Sequence, residues 1–341
     1  MNPDLEQTKR MNSSVAVSRP RSDVALAVRS ALIPHHERCR RPIGRTRHRD
    51  HHRHHQDQSA APSRPDASSR RRRGSGKRHS LSFHVTSDPF LAATPGLPVG
   101  VIANTVVYVL GNRVLLKGLA LDGYVSSYVL GCLSYAAFGP CGYLLVCIYF
   151  LIGSYVTKLK MDVKEKEGTA EARGGRRGVG SVLGSGLAGL ACAAAVLLGV
   201  PSAVPALSFE ALKVGFTASF CSKLSDTVSS EVGKAYGKTT YLATTLKKVA
   251  RGTEGAVSLE GTVAGVVASL VLGACGFVGG LVDGRGLVCV IAASVVANYL
   301  ESLVGAGVQR GGAVPWLTND VVNMLQISVA SVLGIWLYVL V

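Results

Sequence analysis

From residue 99 to its end the chain alternates long apolar stretches with short polar ones, and this alternation limits the fold more than any other feature. The stretches fall at about 99–116, 121–138, 140–157, 180–199, 206–222, 257–281, 286–308 and 321–340, each near the ~20 residues that carry a helix across a hydrocarbon core. Most have no charge in the middle, and soluble domains seldom string so many together. The expected fold is therefore all-α: a polytopic membrane helix bundle of six to eight spans. The stretch 206–222 is the weakest, because Glu210 and Lys213 let it be either a span or an interfacial helix. Many of the 39 glycines fall inside the spans, where small residues let helices approach closely. Gly261, Gly265, Ser269 and Gly273 recur every four residues and share one helical face, the expected seam with a neighbouring helix.

The formal charge of +16 suggests a nucleic-acid binder until it is divided. Residues 1–90 hold 19 Lys and Arg against eight acids, together with all nine histidines. Residues 91–341 hold 18 against 13 and no histidine. The first part, with Arg70-Arg71-Arg72-Arg73 and the tract His51-His52-Arg53-His54-His55, has too little apolar content to offset the entropy of ordering. It is read as a disordered basic N-terminal leader, of the Arg- and Ser-rich kind that acts as an organelle transit peptide. The remainder, residues 95–341, is the membrane domain. No nucleic acid is expected as a partner, and histidine-based catalysis is disfavoured.

Positive charge in the membrane domain is sorted. The segments 158–179, 223–256 and 309–320 (with Arg310) are separated by pairs of spans and so lie on one side, while 200–205 and 282–285 on the other side carry only Arg285. That distribution marks one face as the side that is not translocated. Seven of the eight cysteines sit in or beside spans, without a CxxC pair or a histidine partner, and read as small buried apolar residues.

The polar residues gather on the same side. A loop from Lys223 carries Ser225-Asp226-Thr227-Val228-Ser229-Ser230-Glu231-Val232-Gly233-Lys234 and then Lys238-Thr239. Carboxylates, hydroxyls, glycines and lysines at this density suit phosphate with Mg²⁺, which takes hard oxygen ligands from one or two carboxylates and from phosphate itself. An ordinary solvated basic loop is the alternative. Gly233 to Thr239 falls one residue short of a Walker A loop and follows a span instead of a strand, so a P-loop fold is rejected. Further acids and amides follow at Arg251-Gly252-Thr253-Glu254-Gly255, at Glu260, at Asn298-Tyr299-Leu300-Glu301-Ser302 and at Asn319-Asp320-Val321-Val322-Asn323. Ionisable groups at the edge of a span are costly unless they are paired or functional. Asp320 could equally cap the last helix, and Glu301 could neutralise a lysine.

Gly175-Arg176-Arg177 and these later motifs, in this order, resemble the integral-membrane phytyl-phosphate kinase family of plastids, which is similar to a widespread group of bacterial and animal membrane proteins. The resemblance spans about residues 95–340. It implies a plastid-envelope enzyme that moves a phosphoryl group from a nucleoside triphosphate, with CTP expected, to phytyl monophosphate. The product, phytyl diphosphate, would feed tocopherol and phylloquinone synthesis.

Residue roles follow from chemistry and not from the resemblance. Transfer to a phosphate needs little base catalysis, so positioning and charge neutralisation dominate. Asp226, Glu231, Glu254 and Glu301 are the candidate catalytic carboxylates, and Asp226, Glu231 and Asp320 the candidate Mg²⁺ ligands. Arg176, Arg177, Lys234, Lys238 and Thr239 would hold phosphates, with Glu260, Asn298 and Asn323 in support. The expected partners are the lipid bilayer, a prenyl phosphate and a nucleoside triphosphate. The competing reading is a membrane transporter or binder of an anionic lipid or metabolite.

Overall fold

The computed structural model describes residues 94–309 and 314–341; the leader expected at 1–90 and Arg310 lie outside the described residues. Helix α1 (Gly96–Gly118) leads into α2 (Leu121–Thr157), whose 37 residues would span about 55 Å if straight. Instead α2 breaks at Gly139 (φ 65°, ψ −162°), a backbone that glycine tolerates, and Pro140 follows without an N–H to continue the ladder. The arms 121–138 and 140–157 fold back on each other. Near the start of α1, Gly100 abuts Ala136 of the first arm, whereas at its end Gly118 abuts Phe150 of the second. The Tyr143 hydroxyl ties the second arm to α1 by donating to Asn104 Oδ1 at 2.8 Å.

A polar strap (residues 158–178) with a short helix α3 (Met161–Lys166) leads to α4 (Val179–Leu197). After a single turn α5 (Val200–Ala203) comes α6 (Phe209–Tyr236), then a small antiparallel sheet of β1 (Thr240–Leu242), β2 (Lys248–Val249) and β3 (Ala256–Ser258) with β1 in the middle. Helices α7 (Leu259–Val278), α8 (Gly284–Val304) and α9 (Asn319–Leu340) complete the bundle. Side chains of Ser208, Ser258, Asp283 and Thr318 accept from backbone N–H groups in the first turns of α6, α7, α8 and α9. Thr318, not Asp320, therefore caps α9.

Six helices among the described residues are long and apolar enough to cross a membrane. With the two arms of α2 counted separately and α6 included, the chain passes through the bundle eight times, within the expected range. Two expectations change at α6. The segment 206–222 is not an interfacial helix: α6 is the central helix, with Phe216, Phe220 and Leu224 fully enclosed against Leu145, Leu272 and Val290. Nor does a loop begin at Lys223, because α6 continues for fourteen residues to Tyr236. Neighbouring helices shield α6 from lipid, so it can carry polar residues that a lipid-facing span could not.

The glycine seam is where expected. Methyl groups at Gly261 and Gly265 would overlap the carbonyl oxygens of Ser229 and Ser225 on α6, so α7 lies directly against that helix. The seven described cysteines are free thiols.

Candidate functional site

At one end of the bundle the strap, the sheet and the ends of α2, α4, α6, α7, α8 and α9 enclose a cavity of about 840 Å³. It is the end that carries the basic segments. Residues from all five sequence motifs line it, among them Arg176, Arg177, Asp226, Glu254, Glu301 and Asp320. Lining residues up to 201 positions apart in sequence, from Asp122 to Asn323, thus converge because alternate spans end on the same face.

The strap is fastened by charge. Lys164, fully buried, donates to Glu231 Oε2 and to the Thr157 carbonyl. Lys234 bridges Glu231 Oε1 and Glu171 Oε1, each at 3.1 Å, and Arg251 pairs with Glu167 at 3.1 Å. Burial pushes the Glu171 carboxyl up, but the Lys234 charge and hydrogen bond outweigh it and hold the group below its ordinary value. Both oxygens of Glu231 therefore serve lysines, which removes it from the expected set of direct metal ligands. Lys234 is committed to two carboxylates in the same way, and its expected role as a free phosphate ligand changes accordingly. Neither Lys164 nor Lys223 had been singled out from the sequence. Lysines in a basic loop look alike until packing shows which of them are buried.

Asp226 sits one turn earlier on α6, paired with Lys223, its side chain 14 % exposed. Asn298 of α8 donates to Ser225 Oγ (3.0 Å) and Ser229 Oγ (3.4 Å), which fixes α8 against the same stretch of α6. Glu301 follows on α8, while Glu254 precedes β3 and Asp320 lies in the first turn of α9, close against Gly180. None of these three carboxylates makes an ion pair with a described residue. Gly255 has φ 69° and packs so tightly on Ala306 that no side chain would fit, which explains the Gly after Glu254.

Arg177 closes the floor. Its guanidinium donates to the Tyr149 hydroxyl (2.6 Å), which donates to Ser185 Oγ (2.7 Å). Its backbone bonds Gly118 and Ala120, locking the strap to the α1–α2 turn. Arg173 and Arg176 beside it line the cavity next to the N-terminus of α4, where the Asp122 carboxylate accepts from the Val179 N–H at 3.0 Å and has the Arg173 charge nearby. Arg173 lies in the basic segment 158–179, where nothing local sets it apart.

Lys238 and Thr239 do not reach the cavity. They lie past the end of α6 on the way to β1, and the Lys238 N–H bonds Glu260 Oε1 at 3.3 Å. Because α6 extends to Tyr236, the chain leaves the site before reaching them. Glu260 stays outside with them, while Asn298 and Asn323 line the cavity as supporting groups.

Among the described residues no three Asp, Glu, His or Cys side chains come close enough to share one metal ion, so Asp226, Glu231 and Asp320 do not form a joint cage. Mg²⁺ needs no such cage when phosphate oxygens and water complete its shell. The free oxygen of Asp226 and the unpaired carboxylates of Glu301 and Asp320 suit that mode of binding.

A family model described as "Integral membrane protein DUF92" matches residues 104–331. "Protein VTE6, chloroplastic" of Arabidopsis thaliana is 49 % identical over 245 residues, 72 % of each chain. An uncharacterized membrane protein of Synechocystis is 43 % identical over 258 residues, covering 76 % of this chain and 93 % of its own. Another, from Methanocaldococcus jannaschii, is 28 % identical over 220 residues, 64 % of this chain and 84 % of its own. No solved structure matches the chain.

Proposed function

The chain belongs to the DUF92 family of integral membrane proteins, and from that premise we propose that it is a multi-pass chloroplast membrane enzyme, a prenyl-phosphate kinase of the tocopherol pathway. The observation that carries this reading is the meeting of arginines and of carboxylates without ion pairs in one 840 Å³ cavity at a membrane face, where an anionic head could sit with its apolar tail in the bundle. The chloroplastic relative supports the compartment. In its finer form the proposal has phytyl monophosphate as acceptor, CTP as donor and the envelope as the membrane. The product, phytyl diphosphate, would serve tocopherol and phylloquinone synthesis.

The chemistry asks for little that the site lacks. An oxygen of the acceptor phosphate attacks the γ-phosphorus; a new P–O bond forms as the bond to the β-phosphate oxygen breaks, and a nucleoside diphosphate leaves. The acceptor oxygen is already anionic, so no histidine base is required. Arg173, Arg176 and Arg177 neutralise and orient the phosphates beside the start of α4, whose first N–H, that of Val179, is held by Asp122 Oδ2. One or two of Asp226, Glu301 and Asp320, with phosphate oxygens and water, would hold Mg²⁺, which would supply charge screening between the phosphates. Glu231 keeps its place through Lys164 and Lys234, holding the strap over the site.

The test is direct. Purified protein in liposomes is given labelled CTP, ATP, GTP or UTP with phytyl or geranylgeranyl monophosphate. Label is expected in the prenyl diphosphate, most strongly from CTP. Label in no prenyl diphosphate with any of the four nucleotides overturns the reading.

A further inference from the structure

The cavity does not end at its charged groups. Ser258, Thr262 and Val266 continue it along α7 at intervals of four residues, and Val295, Tyr299 and Ser302 continue it along α8. Val266 lies seven residues inside the start of α7 and Val295 nine inside the end of α8, which places them about 10 Å and 13 Å into the bundle. Deeper still the two helices close on each other. Ser269 and Ser294 share a 2.9 Å hydrogen bond, and Gly273 accommodates Leu287 and Ile291.

Above that contact α6 lies behind both helices. Ser225 and Ser229 abut Gly265 and Gly261 of α7 and also accept from Asn298 of α8. The result is a wedge with the serine pair at its apex and α6 as its back wall. On the same stretches of α7 and α8, Val263, Val267, Val296 and Leu300 stand 42–54 % exposed outside the cavity lining, and Tyr299, which lines the cavity, is 57 % exposed. A cavity that carries arginines and carboxylates at the bundle end, reaches Val266 and Val295 inside it and lies beside exposed apolar side chains matches an amphiphile with one anionic end. It does not suit a wholly polar ligand.

We propose that the α7–α8 wedge is the seat of the acceptor's isoprenoid chain, which enters sideways from the bilayer and leaves its phosphate beside Asp226. The inference rests on the prenyl-phosphate reading of the cavity and adds the route and the residues that read the chain. Val266 and Val295 line the wedge from α7 and α8 respectively, so their size bears on which chain lengths and branching patterns are accepted.

Two measurements test it on the full-length protein in liposomes. A geranylgeranyl monophosphate with a diazirine in the chain is photolysed and the labelled peptides are mapped. Label is expected in residues 259–278 and 284–304; label confined to α1, α2, α4 or α9 overturns the proposal. Second, Val266→Trp and Val295→Trp are compared with Val266→Leu, and the ratio of transfer to a twenty-carbon over a five-carbon prenyl monophosphate is measured. The Trp variants should lower that ratio by about tenfold or more and the Leu variant less. A ratio equal to wild type in both Trp variants, with transfer intact, overturns the wedge while the kinase reading stands. If the wild type transfers to no prenyl phosphate but the photolabel still maps to α7 and α8, the wedge stands as a prenyl-phosphate site and the kinase reading falls.

Discussion

Helices α1 and α6 rank oppositely by sequence and by position. The first is almost wholly apolar and looks like core, yet it lies at the edge of the bundle, with Ile102 and Leu110 67 % and 82 % exposed. The second carries Lys223, Asp226, Glu231 and Lys234 and looks like the poorest span, yet neighbours enclose it through most of its length. Hydropathy in a membrane bundle measures how much of a helix meets lipid, not how deeply it is buried. A helix shielded by others is free to carry charge, provided that each charge finds a partner. Here that freedom places the chemistry on α6.

The comparison is broken hardest at the buried ion pair. Lys164→Met leaves Glu231 with only its partly exposed lysine, and Glu231→Leu leaves Lys164 buried and unpaired. Breaking such a pair costs about 3–5 kcal/mol. Thermal unfolding in detergent should fall sharply for Glu231→Leu, while the double replacement recovers much of the loss. On α1, Arg113→Met removes an exposed charge and should change stability by less than about 0.5 kcal/mol. Equal effects at the two sites would contradict the account of α6 as the shielded helix.

Asp226→Asn acts next, chiefly on rate, with a smaller cost to folding because buried Lys223 keeps a hydrogen-bond acceptor but loses its charged partner. Its neutral amide keeps the shape and hydrogen-bonding capacity of the side chain but removes the charge. Turnover of prenyl phosphate should drop by about 10²–10³-fold, a loss of roughly 3–4 kcal/mol of transition-state stabilisation. Membrane accumulation should stay within twofold of wild type. Near-normal turnover would remove Asp226 from the site.

Much of this arrangement was legible beforehand. The apolar runs placed the spans, including the separate runs 121–138 and 140–157 that form the two arms of α2. The four-residue repeat on α7 announced its seam, and the sidedness of the lysines announced the charged end. What escaped were features set by packing across the sequence. Whether Lys223 begins a loop or continues a helix depends on neighbours that shield it, and nothing local signals that. The phosphate role expected of Lys238 and Thr239 came from the Walker-A-like run Gly233 to Thr239, but a helix ending at Tyr236 sends them away from the cavity. The short sheet was missed because strands of two or three residues leave too little alternation to read.

A milder contrast uses glycine. Gly261→Ala on α7 drives a methyl group into the Ser229 carbonyl oxygen of α6, a backbone atom that cannot swing aside. The forced separation should cost about 1–3 kcal/mol. Gly111→Ala on α1 meets only the end of the Leu115 side chain at 3.9 Å and should be neutral or slightly stabilising. Denaturation midpoints of the two variants in the same detergent make the comparison, and it fails if Gly111→Ala is the more damaging.

The smallest effect belongs to the outer end of α6, where Lys234 meets Glu171 of the strap. The folded-state value of Glu171 is depressed below its ordinary 4.5, so the carboxylate contributes stability wherever it is ionised in both states. That contribution is fully present above about pH 5 and fades as the pH falls through the ordinary value toward the depressed one. The Glu171 side chain is 48 % exposed, so solvent screens the pair and the contribution should stay below about 1 kcal/mol. Melting temperatures of wild type and Glu171→Gln, followed from about pH 7 to pH 3, should differ by a small constant amount at the top of the range and converge at the bottom. A gap that stays level or widens toward low pH would mean that Glu171 does not hold the strap through its charge. The exposed end of α6 would then differ from its buried stretch in kind, and not only in the strength of its pairing.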